Sequence, residues 1–295
     1  MPDRLVTAAA ADGMISLVAG TTTDLVRETQ ARHQLAPTAS AAVGRLVTAA
    51  ALIGASLKGR ERVTLQIAGN GPIGRVVADV TTLDDLAIGA RAYAQHPSAD
   101  VPLNARGKFD VAGVVGTGAL QVTRSFEVGQ PYNGVVPLVS GEIAEDIASY
   151  LVRSQQIPSV VALGVLANPT GILAAGGIIA QVMPGADDST LERLEERARA
   201  MPPVTDQIAG GATPEDILVA FNGELGLRIL RDAPILFACR CTRERVEVAL
   251  LGLGRDELLK IAHEQEKTEA TCEFCKKRYV LSSDEVRDLV ARGET

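Results

Sequence analysis

The sequence predicts an α+β protein in three parts: a mixed α/β core domain with β-hairpins, a helical linker, and a small C-terminal module that carries four cysteines. Three observations support this prediction. β-rich runs and helical apolar patterns alternate over residues 1–185, charged residues become dense after that point, and every cysteine lies beyond residue 238. We therefore expect a core domain at 1–185, a linker at 186–234 and a cysteine module at 235–295.

The composition restricts the class of protein. The 295 residues are 46% hydrophobic and 22% charged, as in a soluble globular protein. A formal net charge of -7 argues against broad binding to nucleic acid, which requires a basic surface. Cysteines clustered at one end of a long chain indicate metal or redox chemistry in a reducing compartment, and the N-terminus lacks the pattern of a secretory signal. We expect a cytoplasmic protein with neither a membrane nor a nucleic-acid partner.

The first elements of the core domain follow from apolar spacing. A helix is expected at 38–58, where apolar residues recur at helical intervals and small residues allow another element to approach closely. Two β-rich runs follow at 62–67 and 75–80. The glycines between them match a dinucleotide-binding fingerprint, but Pro72 lies inside the motif and a β run follows it. We therefore expect a hairpin turn rather than a cofactor loop.

The rest of the core domain is predicted as one helix and one pair of strands. Apolar residues on one face indicate a helix at 140–154, and the runs 160–166 and 172–183 have the composition of paired, buried strands. The stretch 154–186 contains no charge and is long enough to resemble a membrane span. Turn residues at 168–171 interrupt it, which favours a hairpin.

The linker is dense in charge and poor in apolar anchors. Thr213 followed by Pro214 marks the start of one of its helices, since threonine is a common N-cap and proline suits the first helical turn. Two interpretations remain open. The linker is either a segment with a weak core that unfolds locally, or a charged helical layer docked permanently on the core domain.

The cysteine module is predicted as short helices at 242–251 and 255–263, a β-turn-β element at 270–281 and a last helix at 284–291. Its cysteines form two pairs, which residues 242–271 separate. A C-x-C segment in extended chain and a C-x-x-C turn can each present two sulfurs to one ion. Four thiolates suit one tetrahedral Zn²⁺, with iron–sulfur ligation as the minor alternative. The predicted ligands are Cys239, Cys241, Cys272 and Cys275.

Four protein ligands leave no open position on the metal, so the zinc is not catalytic. His263 lies in the same module and is only a minor alternative ligand. Arginines and lysines next to both pairs favour the thiolate that oxidants attack, and a C-x-C pair can close a strained, easily reduced disulfide. From this chemistry alone, a redox switch and a plain structural zinc remain equally open.

Blocks of sequence along nearly the whole chain resemble the heat shock protein 33 family. The two cysteine pairs match the C-x-C and C-x-x-C pairs with which that family ends. The other matching blocks are PTASAAVGRLVTAAALIGASLKG at 37–59, QIAGNGPIGRVVAD at 66–79, SGEIAEDIASYLVRSQQIPS at 140–159 and AAGGIIAQVMPGA at 174–186.

The resemblance implies a holdase chaperone that uses no ATP and is not an enzyme. The reduced chain would hold one zinc on four thiolates. Oxidation would form the disulfides Cys239–Cys241 and Cys272–Cys275, release the metal, unfold the module and then the linker, and let a homodimer bind unfolding client proteins. Two alternatives of other classes are a constitutive zinc-ribbon binding module and a dithiol oxidoreductase that uses Cys272 and Cys275. The latter lacks a thioredoxin-like strand-and-helix setting.

Overall fold

A computed structural model of the chain describes residues 1–83, 87–168, 170–187, 189–223 and 226–292. The chain divides into two units, Met1–Ala238 and Cys239–Thr295. The predicted core domain and linker both belong to the first unit. The three-part division at 185/186 and 234/235 remains a prediction about how the parts behave.

The first unit is built on a ten-stranded sheet with the order β7-β6-β3-β4-β5-β10-β1-β2-β9-β8. Its neighbours are antiparallel except β10 and β5, which pair in parallel with Ile235 opposite Ile88. The predicted hairpins β3–β4 and β8–β9 are confirmed, and the fold is the expected mixture of helices and sheet. The strands are β1 (Arg4–Ala10), β2 (Ile15–Thr21), β3 (Arg62–Gly69), β4 (Arg75–Thr82), β5 (Ile88–Ala94), β6 (Gly118–Ser125), β7 (Tyr132–Pro137), β8 (Ser159–Asn168), β9 (Gly171–Val182) and β10 (Leu227–Phe237).

One long apolar helix lies at the centre of this unit. The helices are α1 (Thr23–His33), α2 (Pro37–Gly54), α3 (Val111–Val115), α4 (Ala144–Gln155), α5 (Ser189–Ala200), α6 (Val204–Ala209) and α7 (Pro214–Asn222). Helix α2 has the length and composition of a membrane span, yet 83% of it is buried inside the protein, so it is a core helix. The predicted close approach is confirmed at Gly44, where a Cβ would lie 2.7 Å from Val165 Cγ2.

The glycine fingerprint forms the turn of the β3–β4 hairpin, as predicted. Gly71 donates its N–H to the carbonyl oxygen of Val115 at 3.0 Å. A Cβ on Gly71 would lie 2.4 Å from the carbonyl oxygen of Val114, so the glycine is required by close packing against α3. The motif is followed by a strand, and not by the helix that a dinucleotide site requires.

The predicted linker forms a layer of three helices, α5 to α7, that is docked on the sheet. Its apolar anchors are more deeply buried than its charged composition suggested, and Ile217 is fully buried. We call this segment, residues 189–222, the helical layer. Five of its buried side chains are large and apolar, namely Leu194, Val204, Ile217, Leu218 and Phe221. They pack on a sheet face formed by Val6, Ala8, Leu17, Ala19, Ile178 and Ala180. The structure thus shows the layer docked on the sheet, and its local unfolding remains a prediction.

The prediction of a helical segment through residue 234 was wrong at its end. Residues Leu227–Phe237 form strand β10, which lies between β1 and β5. Ala233 and Ile235 are buried there and alternate with exposed neighbours, the pattern of a strand. The two halves of the sheet would each present an unpaired edge without β10, and pairing with both edges explains why the segment is extended.

The buried carboxylate of Asp3 precedes β1. Its Oδ2 accepts the N–H of Leu25 at 2.7 Å, while its Oδ1 is buried with no hydrogen-bond partner among the described residues. Burial, the largest cause, raises the pKa of Asp3 to about 6, and hydrogen bonds from the backbone of Leu25 and Asp24 only partly oppose it. The folded chain therefore holds this proton to a higher pH than the unfolded chain does.

We expect the Asp3→Asn variant to be more stable than the wild type at pH 7 and equally stable near pH 4. Between the unfolded pKa of 3.8 and the folded pKa of about 6, the folded state binds more protons, so wild-type stability falls as pH rises through this window. At about 1.4 kcal/mol per pKa unit, the loss is on the order of 3 kcal/mol at most. Urea unfolding of both proteins from pH 4 to pH 7 measures it, and parallel curves would contradict the assignment to Asp3.

The second unit is small. It contains α8 (Arg243–Leu251), α9 (Arg255–Glu264), a two-stranded sheet of β11 (Lys267–Thr271) and β12 (Arg278–Ser282), and α10 (Ser283–Arg292), close to the predicted elements. None of the residues of α8 is buried. The buried apolar cluster of this unit is small and consists of Leu258, Ala262, Leu281, Val286, Leu289 and Val290.

Candidate metal centre

The first cysteine pair lies in the non-helical segment that leads into α8. Cys239 and Cys241 are both half-buried. Thr242 follows them as the N-cap of α8, because its side-chain oxygen accepts the N–H of Arg245 at 3.3 Å. The helix begins directly after this cap, so the C-x-C segment stays outside it and keeps an irregular backbone that can turn both sulfurs to one side.

The second pair occupies the turn between β11 and β12. Cys272 donates its N–H to the carbonyl oxygen of Lys277 at 3.0 Å, and Lys276 donates to the carbonyl oxygen of Cys272 at 2.9 Å. Lys276 adopts a left-handed backbone with φ of 58°, which closes the turn. The two hydrogen bonds fold the C-x-x-C segment back on itself and bring the sulfurs of Cys272 and Cys275 to the same side.

The four sulfur atoms converge. All lie within 4.8 Å of one another, with Sγ–Sγ distances of 3.7 Å for Cys239 and Cys272 and 3.2 Å for Cys241 and Cys275. A tetrahedral zinc with Zn–S bonds of about 2.3 Å requires sulfur–sulfur separations of about 3.8 Å. The four predicted ligands therefore fit a tetrahedral metal ion. His263, the minor alternative ligand, is exposed on α9 and outside the cluster.

The electrostatics of the cluster differ from the prediction made from its basic neighbours. Burial is the largest cause that raises the pKa of Cys275 to about 12, and it also raises the pKa of Cys272. The predicted lowering of thiol pKa values by basic neighbours is thus not seen at these two residues. Several of the predicted cations are neutralised by acidic partners instead: Arg243 by Glu247 and Glu285, Lys276 by Glu273, and Arg278 by Glu269.

A divalent cation would change this balance. Metal-bound cysteines are thiolates, and the positive charge of the ion offsets the cost of placing negative charge in a partly buried site. The arrangement is closed, with four sulfur donors and no histidine or carboxylate among them. It can hold a metal and can be oxidised, and it offers no vacant position for a substrate.

Sequence reasoning missed one residue of this site. Tyr279, on β12, is 7% exposed and directs its hydroxyl group at Cys241, with an Oη–Sγ distance of 3.2 Å. The hydrogen bond to Cys241 raises the pKa of Tyr279. The available signal was its position four residues after Cys275, on the strand that leaves the C-x-x-C turn.

Comparisons with known proteins agree with the fold. The sequence model described as "Hsp33 protein" matches residues 3–282. A 33 kDa chaperonin of Bacillus subtilis is 44% identical over 289 residues, which cover 97% of this chain and 98% of the relative. One from Acetivibrio thermocellus is 43% identical over 292 residues, covering 98% of this chain and 97% of the relative.

Among solved structures, the 33 kDa chaperonin of Thermotoga maritima superposes with a TM-score of 0.90 at 36% identity. The match covers 100% of this chain and 99% of that one. Both the sequence relatives and the structural relative therefore extend over both units, and they agree with the mixed α/β fold. The chain belongs to the Hsp33 family, and so it is a chaperone and not an enzyme.

Proposed function

We propose that this chain is a redox-regulated holdase that works without ATP and binds unfolding proteins after its cysteines are oxidised. The observation that carries the proposal is the convergence of four thiols, all within 4.8 Å, in a unit with few buried apolar side chains. In the reduced state the thiolates of Cys239, Cys241, Cys272 and Cys275 hold one Zn²⁺.

Bound zinc supplies folding free energy to small modules, on the order of 10 kcal/mol. In the second unit, the packing of the chain's own side chains contributes little folding free energy compared with zinc binding. Its cluster of buried hydrophobic residues has six members, and α8 contributes none of them. A small core of this size supplies a few kcal/mol at most. Loss of the metal is therefore enough to unfold the unit.

Oxidation of the cysteines by hydrogen peroxide would cause this loss of zinc. A cysteine thiolate attacks one peroxide oxygen and displaces hydroxide, which leaves a sulfenic acid on the sulfur. A second cysteine thiolate then attacks this sulfur, forms the S–S bond and displaces another hydroxide. Two electrons pass from the two sulfurs to one peroxide, and two protons from solvent complete two waters. Disulfides no longer offer thiolates to the zinc, which leaves.

The proposed pairs are Cys239–Cys241 and Cys272–Cys275. In the reduced cluster the short sulfur–sulfur distances join residues of different pairs, Cys239 with Cys272 and Cys241 with Cys275. Disulfides between those residues would close loops of about 30 residues and stabilise the fold by roughly 3 kcal/mol or more. Disulfides within each pair leave the two segments free to separate, as a switch that works by unfolding requires.

The proposed output is the helical layer. When docked, it covers a sheet face of small and aliphatic side chains, and both surfaces would become accessible if the layer detached. An exposed apolar surface of this kind binds the apolar segments of unfolding proteins. We place this activity in the cytoplasm and assign it to an oxidised homodimer.

The decisive experiment is an aggregation assay on a thermally unfolding client protein. We expect the reduced, zinc-loaded chain to leave light scattering almost unchanged, and the peroxide-treated chain to suppress it. Metal analysis and disulfide mapping of the same samples report zinc release and the pairing. Equal activity in both states would contradict redox regulation, and the zinc would then be purely structural. No activity in either state would contradict the holdase assignment.

A further inference from the structure

The two cysteine pairs differ in how their sulfurs are hydrogen-bonded. Within the C-x-x-C turn, Cys272 accepts backbone N–H groups of Phe274 and Cys275, and Cys275 accepts that of Lys277. These donors belong to the turn itself. Cys241 instead accepts a side-chain donor from β12, the Tyr279 hydroxyl, at 3.2 Å. This bond connects the C-x-C segment to the hairpin that carries the other pair.

The tyrosine is held in place by its surroundings. It is 7% exposed, and its backbone lies in the β11–β12 ladder opposite Ala270. The ammonium of Lys277 lies 5.1 Å from the centre of its ring, within the range of a cation–π contact. A cation at the ring face withdraws electron density, which makes the hydroxyl a better hydrogen-bond donor.

We propose that Tyr279 is a positioning residue that sets the sensitivity of the redox switch through its hydrogen bond to Cys241. The inference rests on the proposed function. A hydrogen bond to a metal-binding thiolate orients the ligand and stabilises its negative charge. When the sulfur attacks peroxide, that charge moves to the departing hydroxide, so the hydrogen bond is weaker in the transition state than in the resting site. It therefore slows oxidation of Cys241 and strengthens the hold on zinc.

The test is the Tyr279→Phe variant of the full chain, which keeps the ring and removes only the hydroxyl. Loss of one outer-shell partner typically weakens metal binding about tenfold or more. We expect zinc affinity, measured by competition with a chromogenic chelator, to fall about tenfold. We expect zinc release under excess peroxide to be several-fold to about tenfold faster. With Co²⁺ in place of zinc, the sulfur-to-cobalt absorption band should shift, because the electron density on one sulfur has changed.

Tyr132→Phe is the matched control. Its hydroxyl lies 3.0 Å from Ser154 Oγ in the first unit, so the same deletion should leave affinity, release rate and cobalt spectrum unchanged. Amide exchange of the zinc-loaded Tyr279→Phe protein should match the wild type, which separates a tuning role from a packing role. A variant that releases zinc at the wild-type rate would overturn the inference. A variant that cannot be loaded with zinc would also overturn it, because the tyrosine would then be part of the packing.

These results can be told apart from a failure of the proposed function. If the wild type releases zinc with peroxide but never protects a client, the holdase proposal fails. The role of Tyr279 is then still decided by comparing the zinc-release rates of Tyr279→Phe and the wild type. If the wild type binds no zinc, both proposals are overturned.

Discussion

Replacing Cys275 with serine is expected to unfold the C-terminal unit while the sheet unit stays folded. Cys275 is the most buried of the four cysteines, and a serine hydroxyl is a poor ligand for the metal that its thiolate would bind. Losing a contribution on the order of 10 kcal/mol exceeds what the six-residue apolar cluster can offset. Amide exchange should show residues 239–292 unprotected in the variant, with strands β1 to β10 still protected.

Two comparisons make this result specific. Chelation of zinc from the wild type should reproduce the same exchange pattern, because it removes the ion and leaves the side chain. Val280→Ala changes a neighbour on β12 that is 41% exposed, and it should leave the unit folded and loaded. Persistent protection of residues 239–292 in metal-free protein would show that the unit stays folded without zinc. That result would contradict a switch that works by unfolding.

The metal-binding residues are the part of the site that sequence alone could predict. Two short-spaced cysteine pairs constrain the backbone locally, so their ability to share one ion depends little on the rest of the fold. The effect of their basic neighbours could be predicted only where the acidic partner is close in sequence, as Glu273 is to Lys276. The acidic partner of Arg243 on α10, Glu285, is 42 residues away in the chain, and only the fold brings the two together. The hydrogen bond from Tyr279 to Cys241 spans 38 residues and escaped prediction for the same reason.

The fold shows the same division between local and distant information. Hairpins such as β3–β4 and β8–β9 are encoded by their own turns, and they were predicted. Strand β10 was not, because its partners β1 and β5 begin more than a hundred residues earlier. The alternation of buried and exposed residues along β10 arises only when the strand lies between β1 and β5. The sequence also did not predict how completely the apolar side chains of the helical layer are buried. Five such side chains are spread over three helices, and they show no strong local pattern.

Replacing Phe221 with alanine is expected to detach the helical layer and to produce holdase activity in the reduced, zinc-loaded protein. Phe221 is 1% exposed and is the largest of the layer's buried side chains. Its truncation typically costs about 3–5 kcal/mol. Part of the layer is also held by Arg4 of β1, which pairs with Glu215 in α7 and Asp232 in β10. The loss of packing energy at Phe221 is large compared with such partly exposed ion pairs.

The measurement combines amide exchange with the client assay, both without oxidant. Exchange should accelerate in 189–222 while α2 and residues 239–292 keep their protection, and client aggregation should fall in parallel. Val219→Ala is the matched control, because Val219 lies on the same helix and is 58% exposed, so neither quantity should change. If Phe221→Ala detaches the layer and clients still aggregate, the surface beneath the layer is not the client-binding surface. If the whole sheet unit unfolds with the layer, the layer is not a separable element and oxidation must act through another part of the chain.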